Sequence, residues 1–217
     1  MNVHQSLRDP LGVTVFGSHL LRTEPDHAIV SFAAHHLAAE PKAAIVAVEK
    51  TRVAVGAVLA ARGLTPADIT ISKLGLELAV DGYGKDRRVL GYKAELGYTV
   101  RCCDLGVVAE LVIELVDAGA RTIRGVTYHT TRIRELRAQA RQAAFASARV
   151  KALDYAGAAG LALGRVLHIE DVSPDQLSHR SHAPDIDLTA HDELAPGAAG
   201  SISIAGAVMV CFALIDA

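Results

Sequence analysis

The 217-residue chain has no tryptophan, and only 4% of its residues are aromatic. The stacking platforms that single-strand binders use are therefore scarce. Lysine plus arginine (22) and aspartate plus glutamate (24) nearly cancel to a net charge of −2. No field of one sign draws the chain to nucleic acid or to an anionic membrane, and no nucleic-acid partner is expected. Long hydrophobic runs are also missing. The longest, "AGAVMVCFALI" from Ala205 to Ile215, is well short of the roughly 20 residues of a spanning helix. It reads as a buried strand, and no membrane span is expected. Cysteine is sparse and odd in number. Cys102, Cys103 and Cys211, two of them adjacent, make no disulfide framework of the secreted kind and read as reduced, buried small hydrophobes. "MNVHQSLRDPLGV" has neither a basic start nor an apolar h-region, so a cytoplasmic location is expected.

What is present is a 51% hydrophobic composition, enough to supply a core, arranged with mixed periodicities. "GVTVFGSHLL" and "HAIVSFAAHHL" flank the turn signal "RTEPD" and read as a hairpin. In "AEPKAAIVAVEKTRVAVGAVLAARG", Pro41 suits a first helical turn. Ala44, Val48, Thr51, Val55 and Val58 recur at helical spacing, and Gly63 suits the C-terminal cap. "DITISKLGLELAV" and "RVLGYKAELGYTVRC" on either side of "DGYGKD" form a second expected hairpin. Asp104 is placed to cap the helix "LGVVAELVIELVDA", which Gly119 closes. "RTIRGVTYHT" reads as a strand, about Arg132 to Ala159 as a long helix, and "LGRVLHIEDVS" and "GSISIAGAVMVCFALID" as strands bracketing the polar stretch Pro174 to Pro196. The order is β-β-α-β-β-α-β-α-β-β. The expected fold class is α+β, with antiparallel or mixed sheets and a long alanine-rich helix in a single domain over 1–217. A β-α-β-β unit recurs weakly in halves of about 11–102 and 120–215.

The long helix carries Ala138, Ala140, Ala143, Ala144, Ala146 and Ala148. Alanine is the best helix former and the smallest, so this run favours helix and permits close approach on more than one face. Packing on a sheet and against another helix or subunit is the expected use, with Ala140, Ala144, Arg137 and Arg141 as interface candidates and Val150, Leu153 and Tyr155 as larger anchors. Helix filler on a solvated face would look the same in sequence.

At "ARVKALDYAGAAGLALGRVLHIED", with Ala148, Arg149, Lys151, Ala152, Ala156, Gly160, Leu163 and Gly164, the chain resembles the SIMPL-domain family. That family includes the bacterial YggE-type proteins and the Brucella periplasmic immunogenic protein. The resemblance extends through "VFGSHLLRTEPDHAIVSF", "ARGLTPADITISKLGLEL", "GYKAELGYTVRCCDL" and "LAPGAAGSISIAGAVMVCFAL", nearly the whole chain. It implies an α+β domain, homo-oligomers (ring- or channel-like in the Brucella member) and no established catalytic residues. It also implies links to the envelope and oxidative stress in bacteria and to kinase signalling in the animal relative. The expected departure is in location, because the usual bacterial pattern carries an export signal.

The remaining polar clusters are weighed as sites. His179, His182 and His191 sit among Asp171, Asp175, Asp185, Asp187 and Asp192. With Asp185 and Asp187 the three histidines form a chemically sensible but irregularly spaced metal set, and a solvated loop has the same composition. Arg134, Arg137 and Arg141 at i, i+3 and i+7 line one side of the long helix, with Arg121 and Arg124 on the strand before it. This strip suits an anion, the chain's own acidic loop or a neighbouring subunit. His35 and His36, adjacent in a strand, point to opposite faces, and His129 and His168 read as structural. "DGYGKD" lacks the phosphate-loop spacing, "GAAGSISIAG" lacks the nucleophile elbow, and no Ser/His/Asp or paired-carboxylate template assembles. The expected function is therefore that of a non-enzymatic, homo-oligomeric scaffold or interaction module without a cofactor, a stress-related role entering from the resemblance alone. The alternatives are a small-ligand or metal-binding protein using the 170–193 loop or the arginine strip, and an unrecognised hydrolase.

Overall fold

The computed structural model describes residues 12–82, 87–172 and 200–217. These divide into two compact units, one from the described parts of 1–24 and 131–217 and the other from 25–130. The chain thus crosses between units at 24/25 and 130/131, and the sequence halves 11–102 and 120–215 do not coincide with them.

The central unit, 25–130, contains β2 (His27–Ala38), α1 (Pro41–Ala61), β3 (Ile69–Ile71), β4 (Gly75–Asp81), β5 (Arg88–Cys102), α2 (Val108–Asp117) and β6 (Thr122–His129). Its sheet runs β3-β5-β2-β6, with β4 also paired to β5, and every pairing is antiparallel. Alternation sends the even-numbered residues of β2 and β5 to one face. There Val30, Phe32, Leu96, Tyr98 and Val100 meet Val48, Val55 and Leu59 of α1 and Leu111 and Leu115 of α2 in one buried cluster. Phe32 and Tyr98 are cross-strand partners stacked at 4.7 Å. α1 begins at Pro41 and buries Ala44, Val48, Thr51, Val55 and Leu59. At its end Leu64 N–H donates to the Leu59 carbonyl and Gly63 N–H to that of Ala60, the paired bonds of a glycine cap. Asp104 caps a 3-10 turn at Leu105–Val107 by accepting from Gly106 N–H at 3.0 Å, and α2 follows it. Gly119 closes α2 at φ +106°, a conformation L side chains rarely adopt, and a Cβ there would press on Thr51 at 3.0 Å.

The other unit holds β1 (Val13–Thr23), α3 (Ile133–Ala158), β7 (Leu161–Asp171) and β8 (Ile202–Asp216). Its sheet is antiparallel, ordered β1-β8-β7, with α3 packed along β1 and β8. The expected hairpin between the first two strands does not form. β1 pairs with β8 over eleven consecutive positions from Val13↔Phe212 to Thr23↔Ile202, while β2 pairs with β5 and β6. "RTEPD" is a crossing between units, and β1 gains a far longer in-register partner at the other end of the chain. The expected strand "DITISKLGLELAV" also divides, into β3 and β4, both on β5.

Leu136, Ala140, Ala144, Ala148, Ala152 and Ala156 form one continuous i, i+4 ridge on α3, and all are buried. Such a ridge is inclined about 26° to the helix axis, so a twisted pair of strands can follow it for its whole length. β1 and β8 supply complementary absences of side chain. A Cβ at Gly17 would come within 2.7 Å of Ala148, and one at Gly206 within 2.6 Å of the Ala140 carbonyl oxygen. Helix and sheet therefore meet nearly backbone to backbone, flanked by Val15, Val208, Val210 and Phe212.

Candidate functional site

The N-terminal half of α3, the end of β7 and the start of β8 enclose a groove of about 560 Å³. It is lined by Arg137 and Arg141 from the helix, Asp171 and Val172 from the end of β7, and Ser203 to Ala207 from β8. Among the described residues, pairing of β7 with β8 reaches Asp171↔Val208 and is followed by Val172 N–H to the Ala207 carbonyl. Arg141 Nε stands 3.5 Å from Asp171 Oδ2 with both groups more than half exposed, a pair worth little in stability. Arg137, one turn away, makes no ion pair among the described residues, while Arg134 does not line the groove. The arginine strip is thus divided. Arg121 and Arg124 belong to the central unit, where Arg124 pairs with Glu95, itself held below the usual carboxylate range chiefly by its hydrogen bond from Lys93.

Ala140 and Ala144, offered by the sequence as interface residues, are fully buried against the chain's own β1 and β8. Val150, Leu153 and Tyr155, expected as anchors, are 58%, 48% and 63% exposed, because the alanine ridge already occupies the sheet-facing side. The metal candidates His179, His182, His191, Asp185 and Asp187 lie outside the described residues. Among the described ones, no group of three or more His, Cys, Asp or Glu is placed to hold a metal.

A second cavity, of about 470 Å³, lies in the central unit between the end of α1 and the end of β5. Arg62 at its edge binds Glu114 at 2.6 Å and Glu110 at 3.2 Å; these bonds raise the guanidinium's pKa and lower that of Glu114. Cys102 is buried there and donates to the Asp104 carbonyl at 3.2 Å, and burial pushes its thiol upward, away from reactivity. Cys211 is buried as expected, but Cys103, in the bend just past the end of β5, is exposed. Neither cavity is lined by a described histidine.

The histidines are held elsewhere. His36 reaches Thr51 of α1 at 2.8 Å, and burial, then Arg121 and His35, lower its pKa. The β2–β6 register sets His27 opposite His129, stacked at 5.7 Å. Asp26 lies 2.6 Å from the His27 ring, and Thr127 2.9 Å from that of His129. This pair was not singled out in the sequence, because only strand pairing brings together residues a hundred positions apart. His168 is exposed on β7.

Two antiparallel sheets with helices packed on them define an α+β protein, and among the described residues no helix is long and apolar enough to cross a membrane. The sequence profile of the SIMPL family, described as a protein of unknown function (DUF541), matches residues 13–210, and the chain belongs to that family. No curated protein matches it significantly.

Proposed function

We propose that this SIMPL-family protein is a non-enzymatic, self-associating scaffold. The observation that carries the reading is the β4–β5 arm of the central unit. Leu76, Leu78 and Val80 alternate along β4, which among the described residues pairs with β5 alone, and are 37–47% exposed; Leu74, Val89 and Leu90 beside them are 42–60% exposed. Leu76 and Leu78 stand opposite Ala94 and Tyr92, so they continue the apolar face of the sheet beyond the part that α1 covers. A run of large apolar side chains on an open strand edge marks an association surface. Fully burying one such side chain contributes about 1.5–3 kcal/mol, so covering several half-exposed ones drives assembly. Three free thiols suit a reducing compartment.

Light scattering of the purified chain at micromolar concentration tests the reading. An oligomer whose size Leu76→Ser with Leu78→Ser reduces while the chain stays folded supports it, and a strict monomer overturns it. The arginine groove favours a second reading, in which Arg137 and Arg141 receive a small anion. A thermal shift with inorganic phosphate that Arg137→Ala abolishes would support that reading, and no shift with phosphate or citrate would remove it.

A further inference from the structure

α3 has a second organised face, opposite the alanine ridge. Ala143, Ala146, Val150, Leu153 and Gly157 follow one another at alternating steps of three and four residues, the spacing of a coiled-coil seam. Along this seam Val150 is 58% and Leu153 48% exposed, Ala146 and Gly157 are exposed, and Ala143 is half-buried among the described residues. Arg149 directly precedes Val150, and Asp154 directly follows Leu153. Both are exposed, and neither makes an ion pair among the described residues.

The order of these charges selects a partner and its direction. With Val150 and Leu153 at the two core positions of a heptad, Arg149 occupies the flank before the first and Asp154 the flank after the second, five residues on. In a parallel, in-register pair of identical helices, the flanking residue of one helix faces the residue five further along the other. Arg149 then meets Asp154 of the second copy, and symmetry makes the contact twice; Gln142 and Ser147 stand in the same relation as a neutral polar pair. In an antiparallel pair each flank faces its own kind, setting Arg149 near Arg149 or Gln142 and Asp154 near Asp154 or Ser147, with no attraction gained. Ala143, Ala146 and Gly157 keep the seam shallow enough for helix axes to approach to about 8 Å.

We propose that the outward face of α3 pairs, parallel and in register, with α3 of a second copy of this chain, with Val150 and Leu153 at the seam and Arg149 of each copy against Asp154 of the other. The proposal rests on the self-associating reading above but uses a different surface, carried by the other unit.

Directed cross-linking of the full chain tests it. In a Cys103→Ser background, which removes the exposed thiol, single cysteines are placed by Ala143→Cys, Val150→Cys or Gly157→Cys, and the protein is mildly oxidised. Each variant should form a disulfide dimer with itself, and an equimolar mixture of Ala143→Cys and Gly157→Cys should give no mixed 143–157 disulfide, read by mass spectrometry of the linked peptides. Arg149→Asp and Asp154→Arg should each weaken association about tenfold, since each replaces two attractions by like-charge contacts, and combining them should restore it. Mixed 143–157 links overturn the parallel arrangement. Light scattering separates the remaining failures. An oligomer that never cross-links at the three positions overturns the α3 pairing and leaves self-association standing, whereas a strict monomer removes both.

Discussion

Gly206→Ala on β8 adds a single methyl where α3 lies close against the sheet. Its Cβ would sit 2.6 Å from the Ala140 carbonyl oxygen and 2.7 Å from the Arg141 nitrogen. Comfortable contact begins at about 3.5 Å, so strand or helix must give by nearly 1 Å. Both colliding groups are backbone, and no flexible side chain can swing away. Lifting α3 loosens the small cluster of Leu136, Ala140 and Ile204 around it. Overpacking of this kind costs about 1–3 kcal/mol, offset by about 0.4–1 kcal/mol because alanine restricts the unfolded chain, for a net loss of about 1–2 kcal/mol. Gly56→Ala is the matched control. It lies within α1 with nothing within 4 Å of its Cβ position, so the same substitution should stabilise by about 0.5–1 kcal/mol. Gly17→Ala collides with the same ridge, and the double variant Gly17→Ala/Gly206→Ala should lose less than the sum, because a helix already lifted has made room for the second methyl. Urea unfolding followed by far-ultraviolet circular dichroism reads all four proteins. A Gly206→Ala protein with an unchanged or higher midpoint would refute the backbone-to-backbone seating of α3.

The Tyr98 hydroxyl is buried without a hydrogen-bond partner among the described residues, so Tyr98→Phe should leave stability unchanged or raise it by up to about 1 kcal/mol, and a loss of more than about 1 kcal/mol in urea unfolding would show that the hydroxyl has a partner. His36 has a folded pKa below its unfolded value of 6.5, so the unfolded chain takes up its proton first. Stability should fall as pH drops below about 6.5, by at most about 1.4 kcal/mol per pH unit, and level off below the folded pKa. His36→Gln should flatten that part of the pH–stability curve, and an unaltered slope would assign the effect to other groups. Alkylation without reductant should find three thiols, Cys103 reacting at once and Cys102 and Cys211 only after unfolding; fast reaction of all three in the folded protein would contradict the burial of the last two.

Local pattern made the elements legible. Pro41 and the spacing Ala44, Val48, Thr51, Val55 mark α1 within a residue or two, because a helix satisfies its own backbone and needs only a stripe to bury. Strands carry no such self-contained signal. β1 reads as a strand from its β-branched residues, but its partners in β8 lie from 199 (Val13↔Phe212) to 179 (Thr23↔Ile202) positions away, and a proline turn beside it imitates a hairpin. Pairing is decided by which edge offers the longest register with matched faces, a quantity distributed over both ends of the chain. For the same reason the groove was half legible. The one-turn spacing of Arg137 and Arg141 places both on one side of α3, whereas Asp171 and Ser203 join them only because β7 and β8 pair.

Alanine obscured the site most, and for a physical reason. Its side chain contributes so little apolar area that a buried alanine and an exposed one leave nearly the same trace in a hydrophobic pattern. α3 carries alanines at 140, 144, 148, 152 and 156 toward the sheet and at 143 and 146 away from it, so composition assigns neither face. The discriminating information is in the partner strand. Gly17 and Gly206 fall where the i, i+4 ridge crosses β1 and β8, and a small residue opposite a glycine allows an approach that one opposite a valine does not. Once the ridge is seated in this way, the helix cannot turn to bury Val150 and Leu153 without lifting its backbone off the two glycines. The close seating of one face thus holds the other outward, and the same helix that closes one unit keeps an apolar seam turned away from its own sheet.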